Sequence, residues 1–507
     1  MLLGLLATVS AFAAEKADII VAKDGSGHFT TIQAAINSVA SPNNKNVTIL
    51  VKNGTYNEHI AIDKSFISLI GESRDSTIIQ FSIQRTEWTS SHGSSAGCAV
   101  INIGCTPSFS KTSSTVTDIV IGNLTVENTY NTTGDKTMVI KDEGNSNRIF
   151  VVGCNVWCKG HDTISLWTKQ TGMYYHADCS FRGSVDAVCP RGWCYTVGCE
   201  FYETTGSAPL WHEAALSSQK FVNRTGKFMA AAGNGSKFKL LNRNNSSSIG
   251  TRFFLLDCMI SGSCNTSGAY TEAYFYNCHG ETSDQAWYKD NLSSSAGSPT
   301  QSKITAQWTF DNKWDPENTM PSVLPYSSLP QPWNEAYGLT GSVQLKWIGG
   351  RNAGQQAVFF GKVNPPPPVT TQSGKTYSLE NLTNGTYYWR VDAIDGTDTV
   401  KGPVWSFTVD QGVSAEKEHM ASTGEVFTVT QSKEALIIRF SLKRNEKATI
   451  GLFNLQGREI ASFPVADGSA GVHTECVQIG KYGLPKGRCL ARLNAGSIIK
   501  TARFTVW

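Results

Sequence analysis

Short apolar runs recur along the chain between Val47 and Cys278, and each is broken by a small or polar residue before the next run begins. Five of these runs carry a cysteine at the same place, with spacings of 25, 20, 59 and 20 residues: Cys154, Cys179, Cys199, Cys258 and Cys278. The longest gap has room for two or three further turns without a cysteine. Imperfect repeats of about 20–30 residues, each with a few short strands, are typical of a solenoid. The β-rich runs and the Asn and Gly between them predict a right-handed parallel β-helix whose interior holds a ladder of cysteines, which act there as small apolar side chains.

The two ends of this solenoid have different patterns. Residues 30–39, TTIQAAINSV, place Ile32, Ala35, Ile36 and Val39 at helical spacing. This pattern predicts an amphipathic helix that covers the open N-terminal end, as terminal repeats require. The repeats end within residues 304–317, and the Pro- and Ser-rich residues 320–333 predict a linker or an extended strap.

The C-terminal part alternates strand-like and turn-like segments. Residues 335–410 predict a small β-sandwich that resembles a fibronectin type III module in its YYWRVDA and WSFTV segments. Residues 424–507 predict a last β domain, which resembles the sorting or attachment modules of some secreted enzymes; an ordinary accessory β-sandwich has the same pattern. The predicted fold is therefore all-β, with a right-handed parallel β-helix over residues 18–320 followed by two small β-sandwich domains.

The N-terminus predicts export. Residues 1–14 are short and apolar, and Ala11-Phe12-Ala13 fits the cleavage pattern of a signal peptide, although a positive charge before the apolar run is missing. The alternative is a buried N-terminal strand or helix. No later stretch is long and apolar enough to cross a bilayer. We therefore expect a secreted, extracellular or surface-attached monomer that is not a transmembrane protein.

Composition narrows the possible partners. A net charge of +3 is too small to indicate nucleic acid binding, and it is compatible with an acidic polysaccharide. The chain has 13 cysteines, and Cys98 with Cys105, Cys189 with Cys194, and Cys476 with Cys489 are close enough in sequence to pair. The sequence does not choose among these pairings. Because paired C-x-x-C elements are lacking, we expect no zinc site, and we expect no metal or cofactor.

Three segments of the solenoid carry residues that suit chemistry: KGHDTISLW, GSVDAVCPRG and KLLNRNN. They contain His161 and Asp162, Asp186, and Arg243. Asp186 lies between Val185 and Ala187 in a run that otherwise reads as a buried strand. An ionised carboxylate is costly to bury without a partner. Asp186 is therefore a candidate for a functional group.

At these residues the chain resembles the pectinesterase (pectin methylesterase) family. VAKDGSGHFTTIQAAI resembles its opening segment, and VKNGTYNEHIAI has its G-x-Y-x-E element. GHDT, GSVDAV and LNR lie, in order, where the family has Gln-Asp-Thr, Gly-Thr-Val-Asp-Phe and Leu-Gly-Arg-Pro-Trp. The resemblance covers residues 18–317 and implies a parallel β-helix that hydrolyses methyl esters of pectin without a metal or cofactor.

The resemblance implies a role for each matching residue. Asp186 is the nucleophile, Asp162 is the general acid and then the base, and Arg243 keeps Asp186 ionised. Two carboxylates one coil apart cannot both ionise cheaply, which suits one anion and one protonated acid.

The sequence departs from the family pattern around the oxyanion. Where the family has two glutamines, this chain has His161 and, one coil upstream, Lys136 or Thr137, and all three can donate hydrogen bonds. The aromatic side chains of Trp167, Trp193 and Trp211 are candidates for stacking on sugar rings.

Other interpretations remain open for the sequence. Asp162 could cap a turn, Asp186 and Arg243 could form a structural ion pair, His161 could be a surface histidine, and the tryptophans could pack between coils. Two other functions also fit the scaffold: a non-catalytic pectin-binding protein, and a calcium-dependent pectate lyase that would need Asp178, Asp186 and Glu200 to cluster.

Overall fold

The computed structural model describes residues 17–243, 250–265, 272–280, 285–319, 322 and 324–409. In the C-terminal part it describes residues 427–431, 435–442, 444–445, 447–454, 458–465, 469, 471–478, 487–495 and 498–506. The predicted signal peptide, residues 1–14, lies outside the described residues.

Three parallel sheets run along the first part of the chain, and successive turns of the chain visit them in rotation. Sheet A has ten strands: Ile19–Val21, Val47–Val51, Ile67–Gly71, Val116–Gly122, Ser146–Val152, Met173–Ala177, Trp193–Val197, Lys220–Arg224, Arg252–Leu256 and Ala273–Tyr276. Sheet B has nine: Gly54–Asn57, Thr77–Phe81, Thr125–Asn128, Asn155–Trp157, Ser180–Gly183, Glu200–Glu203, Lys227–Ala230, Met259–Ile260 and His279–Gly280. Sheet C has seven: Ile60–Ile62, Ile101–Ile103, Ile140–Asp142, Ile164–Leu166, Val188–Pro190, Leu210–His212 and Leu241–Arg243. The prediction of a parallel β-helix is confirmed.

Equivalent side chains stack inside the coils because the strands pair in register. Phe181, Phe201 and Phe228 follow one another on sheet B with ring centroids 5.6 and 4.7 Å apart. The cysteine ladder is also present. Cys154, Cys179 and Cys199 each lie two residues beyond strand residues that pair from coil to coil, and all three are buried.

The described cysteines of the solenoid are packing residues rather than disulfides. Cys98 and Cys105 are buried free thiols, and so are Cys189 and Cys194, so neither of these two possible pairs forms. Cys489 is buried, and the side chain of Cys476 is not among the described side chains, so the pairing of these two cysteines stays a prediction.

The predicted N-terminal helix is confirmed as Ile32–Ser38, which buries Ile32, Ala35 and Ile36 against the first coil. The Glu58 carboxylate accepts hydrogen bonds from the backbone N–H groups of Ile32 and Gln33, at 2.9 and 3.0 Å. A carboxylate is favourable at a helix N-terminus, so Glu58 anchors this helix over the open end of the solenoid.

Residues 285–319, which follow the last coil, pack on the outer face of sheet A. This segment is called the strap below. It contains the short helices Ala286–Tyr288, Leu292–Ser294, Gln301–Lys303, Ala306–Thr309 and Pro316–Thr319. Ile304, Phe310 and Trp314 are buried there in one apolar cluster with side chains of sheet A such as Phe150 and Tyr175. The helix Arg85–His92 is an insertion between sheets B and C. Across the described residues, no helix has the length and apolarity to span a membrane.

The strands after the strap are antiparallel. Two sheets are formed by Ser328–Gln331, Val343–Ile348 and Thr376–Leu379, and by Ala336–Leu339, Val404–Val409, Gly385–Asp395, Gln355–Gly361, Pro368–Gln372 and Asp398–Val400. Two more are formed by Phe427–Gln431, Ala435–Leu442 and Gly471–Gln478, and by Glu459–Pro464, Ala448–Asn454, Gly487–Ala495 and Ile498–Val506.

The chain divides into two compact units. One comprises residues 1–336, 344–378 and 388–406, and the other comprises residues 337–343, 379–387 and 407–507. The second unit has its own apolar core, which includes Ile438, Phe440, Ile450, Leu452 and Leu493. The domain limits at 320, 335–410 and 424–507, and the fibronectin-like and sorting-like assignments, stay predictions.

Candidate active site

Asp162 and Asp186 face each other on consecutive coils, in the turns that lead from sheet B to sheet C. Sheet C pairs Ile164 with Val188, so the residues two positions earlier, Asp162 and Asp186, are in equivalent positions. The Asp162 N–H donates to Val185 O at 2.8 Å, which fixes this register at the site itself. Neighbouring strands lie about 4.8 Å apart, so the two carboxyl groups are close.

The backbone of these turns explains part of the sequence motif. Asp162 and Asp186 both have a left-handed conformation, with φ of 61° and 54°. Asp is one of the few non-glycine residues that adopts this conformation readily. A Cβ at Gly160 would lie 2.2 Å from Asp135 O and 2.5 Å from Thr137 Oγ1, so only glycine fits before His161. The turn geometry therefore favours the residue types but does not require that two carboxyl groups be buried together.

Burial raises the pKa of both carboxyl groups. The pKa of Asp186 rises to about 7, first because the group is removed from water and second because Asp162 is near, while a hydrogen bond from Asn242 and the charge of Lys136 oppose the rise. The pKa of Asp162 is raised by burial and lowered in part by the charges of Lys136 and His161. Two close carboxyl groups titrate as a pair, because ionisation of one raises the pKa of the other.

The side chain of Arg243, the predicted partner of Asp186, lies outside the described residues. Arg243 ends a strand of sheet C and its backbone pairs with His212, but its side chain is not among the described side chains. Asp186 Oδ1 is buried with no hydrogen-bond partner in the described part of the chain. The described cations favour ionisation of Asp162 more than of Asp186, because Arg85 and Arg191 also act on Asp162. The predicted division of roles therefore depends on Arg243 and stays a prediction.

The three oxyanion candidates occupy different places. Lys136 and His161 are partly exposed and form a backbone ladder with Val185 beside the aspartates. His161 Nε2 lies 3.0 Å from Thr133 O, which can only accept, so Nε2 carries a hydrogen. Thr137 is fully buried, and its hydroxyl accepts from the Gly160 N–H at 3.0 Å inside the coil. This interior position of Thr137 leaves Lys136 and His161 on the side where a substrate can bind.

Two of the three predicted tryptophans lie near the aspartates. The ring of Trp167 is contacted by Arg85, Lys141 and Arg191, whose cationic groups lie 5.3, 4.8 and 4.7 Å from its centroid. Arg191 also lies 5.7 Å from the Trp211 ring centroid, so it bridges the two indoles. These contacts form a partly exposed aromatic and cationic surface next to Asp162.

Trp193 is not part of this surface, which corrects its assignment to the groove. It lies on sheet A, it is 1% exposed, and its indole N–H donates to Asp311 Oδ2 of the strap at 3.1 Å. The chain has turned a corner between Arg191 and Trp193, so two residues of sequence separate the site from a packing position on another sheet.

Arg85 and Arg191 were missed by the sequence-based prediction. Arg191 had a signal, because it follows Asp186 by five residues in the GSVDAVCPRG segment. Arg85 had none, because it begins the inserted helix Arg85–His92 far upstream.

The cluster that a calcium-dependent lyase would need, Asp178 with Asp186 and Glu200, does not form. Asp178 lies in the turn between sheets A and B, and Glu200 begins the sheet B strand of the next coil, whereas Asp186 lies beyond sheet B. In the part of the chain that the structure describes, no three His, Cys, Asp or Glu side chains are arranged to hold a metal ion.

Comparisons with known proteins point to one family. Residues 18–210, which include both aspartates but not Arg243, match the family model described as Pectinesterase. The chain is 48% identical over 68 residues to probable pectinesterase/pectinesterase inhibitor 6 of Arabidopsis thaliana, covering 13% of this chain and 12% of that protein. It is 43% identical over 79 residues to probable pectinesterase 56 of Arabidopsis thaliana, covering 15% of this chain and 27% of that protein. The matches thus span about a quarter or less of these relatives.

Among solved structures, the chain is similar to pectin methylesterase PemA from Erwinia chrysanthemi. The TM-score is 0.50 at 16% sequence identity, over 61% of this chain and 100% of that chain. This likeness is one of fold.

Proposed function

We propose that the protein is a pectinesterase, which hydrolyses methyl esters of galacturonate units in pectin and releases methanol. The observation that carries the proposal is the pair of buried Asp162 and half-buried Asp186, opposed on consecutive coils, with the pKa of both raised. Such a pair supplies an anion and an acid at the same time, which suits ester cleavage. The match of residues 18–210 to the pectinesterase model supports the choice of substrate.

The reaction has two steps. In the first, the ionised Asp186 attacks the ester carbonyl carbon, and the tetrahedral intermediate expels methanol as Asp162 gives its proton to the leaving oxygen. This leaves an anhydride between Asp186 and the galacturonate carbonyl. In the second, Asp162 takes a proton from water, the resulting hydroxide attacks the galacturonate carbonyl, and Asp186 leaves as the carboxylate. Arg243 is proposed to hold Asp186 in its ionised form.

Lys136 and His161 are the proposed donors to the oxyanion. Each tetrahedral intermediate has a negative oxygen, and donors fixed near that oxygen lower the barrier. Lys136 already acts electrostatically on both carboxyl groups, and the His161 ring is held by Thr133 O. Trp167, Trp211 and Arg191 are proposed to contact the sugar rings and the acidic chain.

Replacing Lys136 with Met is expected to lower kcat about 10²-fold, the usual effect of losing one oxyanion donor. Lys136 lowers the pKa of both aspartates, so its loss raises them and moves the acidic limb of the pH–rate profile to higher pH. The measurement is methanol release from methylated pectin between pH 4 and 9. Lys159→Met, at an exposed lysine on the same coil as His161, is the control and should change neither quantity. An unshifted profile with normal kcat in K136M would exclude Lys136 from the site.

The remaining proposals concern the setting of the enzyme. Residues 1–14 are proposed to direct secretion, residues 335–410 to act as a fibronectin-like spacer, and residues 424–507 to sort or attach the protein outside the cell. A monomer acting on pectin is proposed.

The test of the function is methanol release from highly methylated pectin by the intact chain, with and without a chelator. Methanol that is insensitive to the chelator supports the proposal. Folded protein that binds pectin but releases no methanol would establish the binding function instead. Calcium-dependent unsaturated products would show that the same scaffold carries a lyase.

A further inference from the structure

A third carboxyl group, Glu203, is buried in the next coil behind the turn that carries Asp186. Glu203 ends a strand of sheet B, is 0% exposed, and pairs with Gly183 of the preceding coil. Its Oε1 accepts from the Thr205 N–H at 3.0 Å, and Oε2 is buried without a partner among the described residues. A carboxylate is costly in such surroundings, and a neutral carboxylic acid is much less so.

The contacts of the Thr205 hydroxyl agree with a proton on Glu203. The Thr205 hydroxyl has one hydrogen, which it donates to Ser184 O at 2.6 Å. The second contact of that hydroxyl, 3.0 Å to Glu203 Oε1, is a hydrogen bond only if Glu203 supplies the hydrogen. Both contacts are therefore satisfied when Glu203 is a carboxylic acid.

Through Thr205, Glu203 is connected to the turn of Asp186. Ser184, which accepts from Thr205, lies two residues before Asp186, and the Asp186 N–H donates to Ala208 O at 2.8 Å. These two contacts fix the backbone on both sides of the left-handed Asp186, which has φ 54°. Asn234 fixes the backbone around Glu203. Its side-chain amide donates hydrogen bonds to Glu203 O and Thr205 O at 2.9 and 2.7 Å.

We propose that Glu203, as a protonated and buried carboxylic acid, is a positioning residue that fixes the Asp186 turn through Thr205. This role rests on the proposed esterase function. The neutral state of Glu203 has a second consequence. The negative charge at this corner of the coil is then carried by Asp186. Ionisation of Glu203 would leave the Thr205 hydroxyl with two acceptors for its one hydrogen and would place a second charge behind the nucleophile.

The charged groups around Glu203 favour its protonated form. Burial raises the pKa of Glu203 to about 8, and the charge of Asp186 adds to the rise, while the hydrogen bond from the Thr205 N–H opposes it. The charged side chains on the flanking strands of sheet B are Arg182, which is exposed, and Lys227, which pairs outside the coil with Glu200 and Glu335. Lys159 of the turn before His161 is exposed and bonds to Asn131. None of these cations compensates a charge on Glu203.

The stability that Glu203 contributes to the folded state falls as the pH rises. Because the pKa of Glu203 is raised above its ordinary value of 4.5 to about 8, the folded state holds this proton more tightly than the unfolded state. Its contribution to stability is complete below pH 4.5 and is lost as the pH rises to about 8. Glu203→Gln, which stays neutral, removes this loss.

The experiment compares Glu203→Gln with Glu200→Gln, the same change on the same strand at a side chain that is 38% exposed. The fall in Tm between pH 5 and pH 9 should be smaller in E203Q than in the wild type by about 5 °C or more, and unchanged in E200Q. The loss of methanol release above about pH 8 should also be smaller in E203Q than in the wild type, while the part that comes from ionisation of Asp162 remains. Equal Tm slopes in E203Q and the wild type would overturn the proposal, even if the chain released no methanol.

The link through Thr205 is tested by a second pair of variants. Thr205→Val removes the hydroxyl and should lower kcat for methanol release about 10-fold with little change in KM, since a misplaced nucleophile slows the chemical step. Thr205→Ser keeps the hydroxyl and should restore the rate. Equal rates for the two variants would show that the hydroxyl does not position Asp186.

Discussion

Replacing Asp186 with Asn is expected to lower kcat for methanol release by about 10⁴-fold or more, because the amide is not a nucleophile and the first covalent step is lost. The fold should survive the change. Asn also adopts the left-handed conformation that this position requires, and the substitution removes a buried carboxyl group whose pKa is raised to about 7. The measurement is methanol release at saturating pectin, together with Tm.

Asp178→Asn is the matched control for this variant. Asp178 has the same residue type and nearly the same backbone conformation, φ 52°, in the turn between sheets A and B. The D178N enzyme should release methanol at the wild-type rate. A D186N enzyme that keeps more than about a tenth of the activity would remove Asp186 from the covalent step and would favour a structural role for the pair.

The second large effect is expected at Asp162. Asp162→Asn should slow methanol release about 10²- to 10⁴-fold, the usual contribution of a general acid and base. Methoxide is a poor leaving group and needs the proton that Asp162 supplies. An aryl ester of galacturonate does not need this proton, because the phenolate of an acidic phenol leaves without protonation.

An aryl ester therefore distinguishes the two aspartates. D162N should give one rapid equivalent of phenol per enzyme and then slow turnover, since attack by Asp186 proceeds but activation of water does not. D186N should give no such burst. The reverse pattern, a burst in D186N and none in D162N, would show that Asp162 is the nucleophile. The described cations make this a real alternative, because Lys136, His161, Arg85 and Arg191 all favour ionisation of Asp162.

The sequence by itself determined the repeat and its interior. A cysteine that recurs with the period of one coil predicted an inward ladder, and Cys154, Cys179 and Cys199 form it. Helical spacing predicted the cap at Ile32–Ser38. The 24 residues between Asp162 and Asp186 predicted that they would meet on consecutive coils, and the register of sheet C brings them together. These predictions succeed because a parallel β-helix converts sequence period directly into spatial stacking.

The sequence could not determine which side chains share a face across the corners of a coil. Trp193 lies two residues from Arg191 and yet belongs to another sheet, and Thr137 adjoins Lys136 but points inside. Turn lengths differ from coil to coil: Lys136, His161 and Val185 form one ladder at separations of 25 and 24 residues, whereas Val188 pairs with Leu210 after 22. The contacts of Arg85, Arg191 and Glu203 with the site depend on these turns. Only the tertiary structure decided them, because the strands set the period of the coil while irregular turns set the direction in which each side chain leaves it.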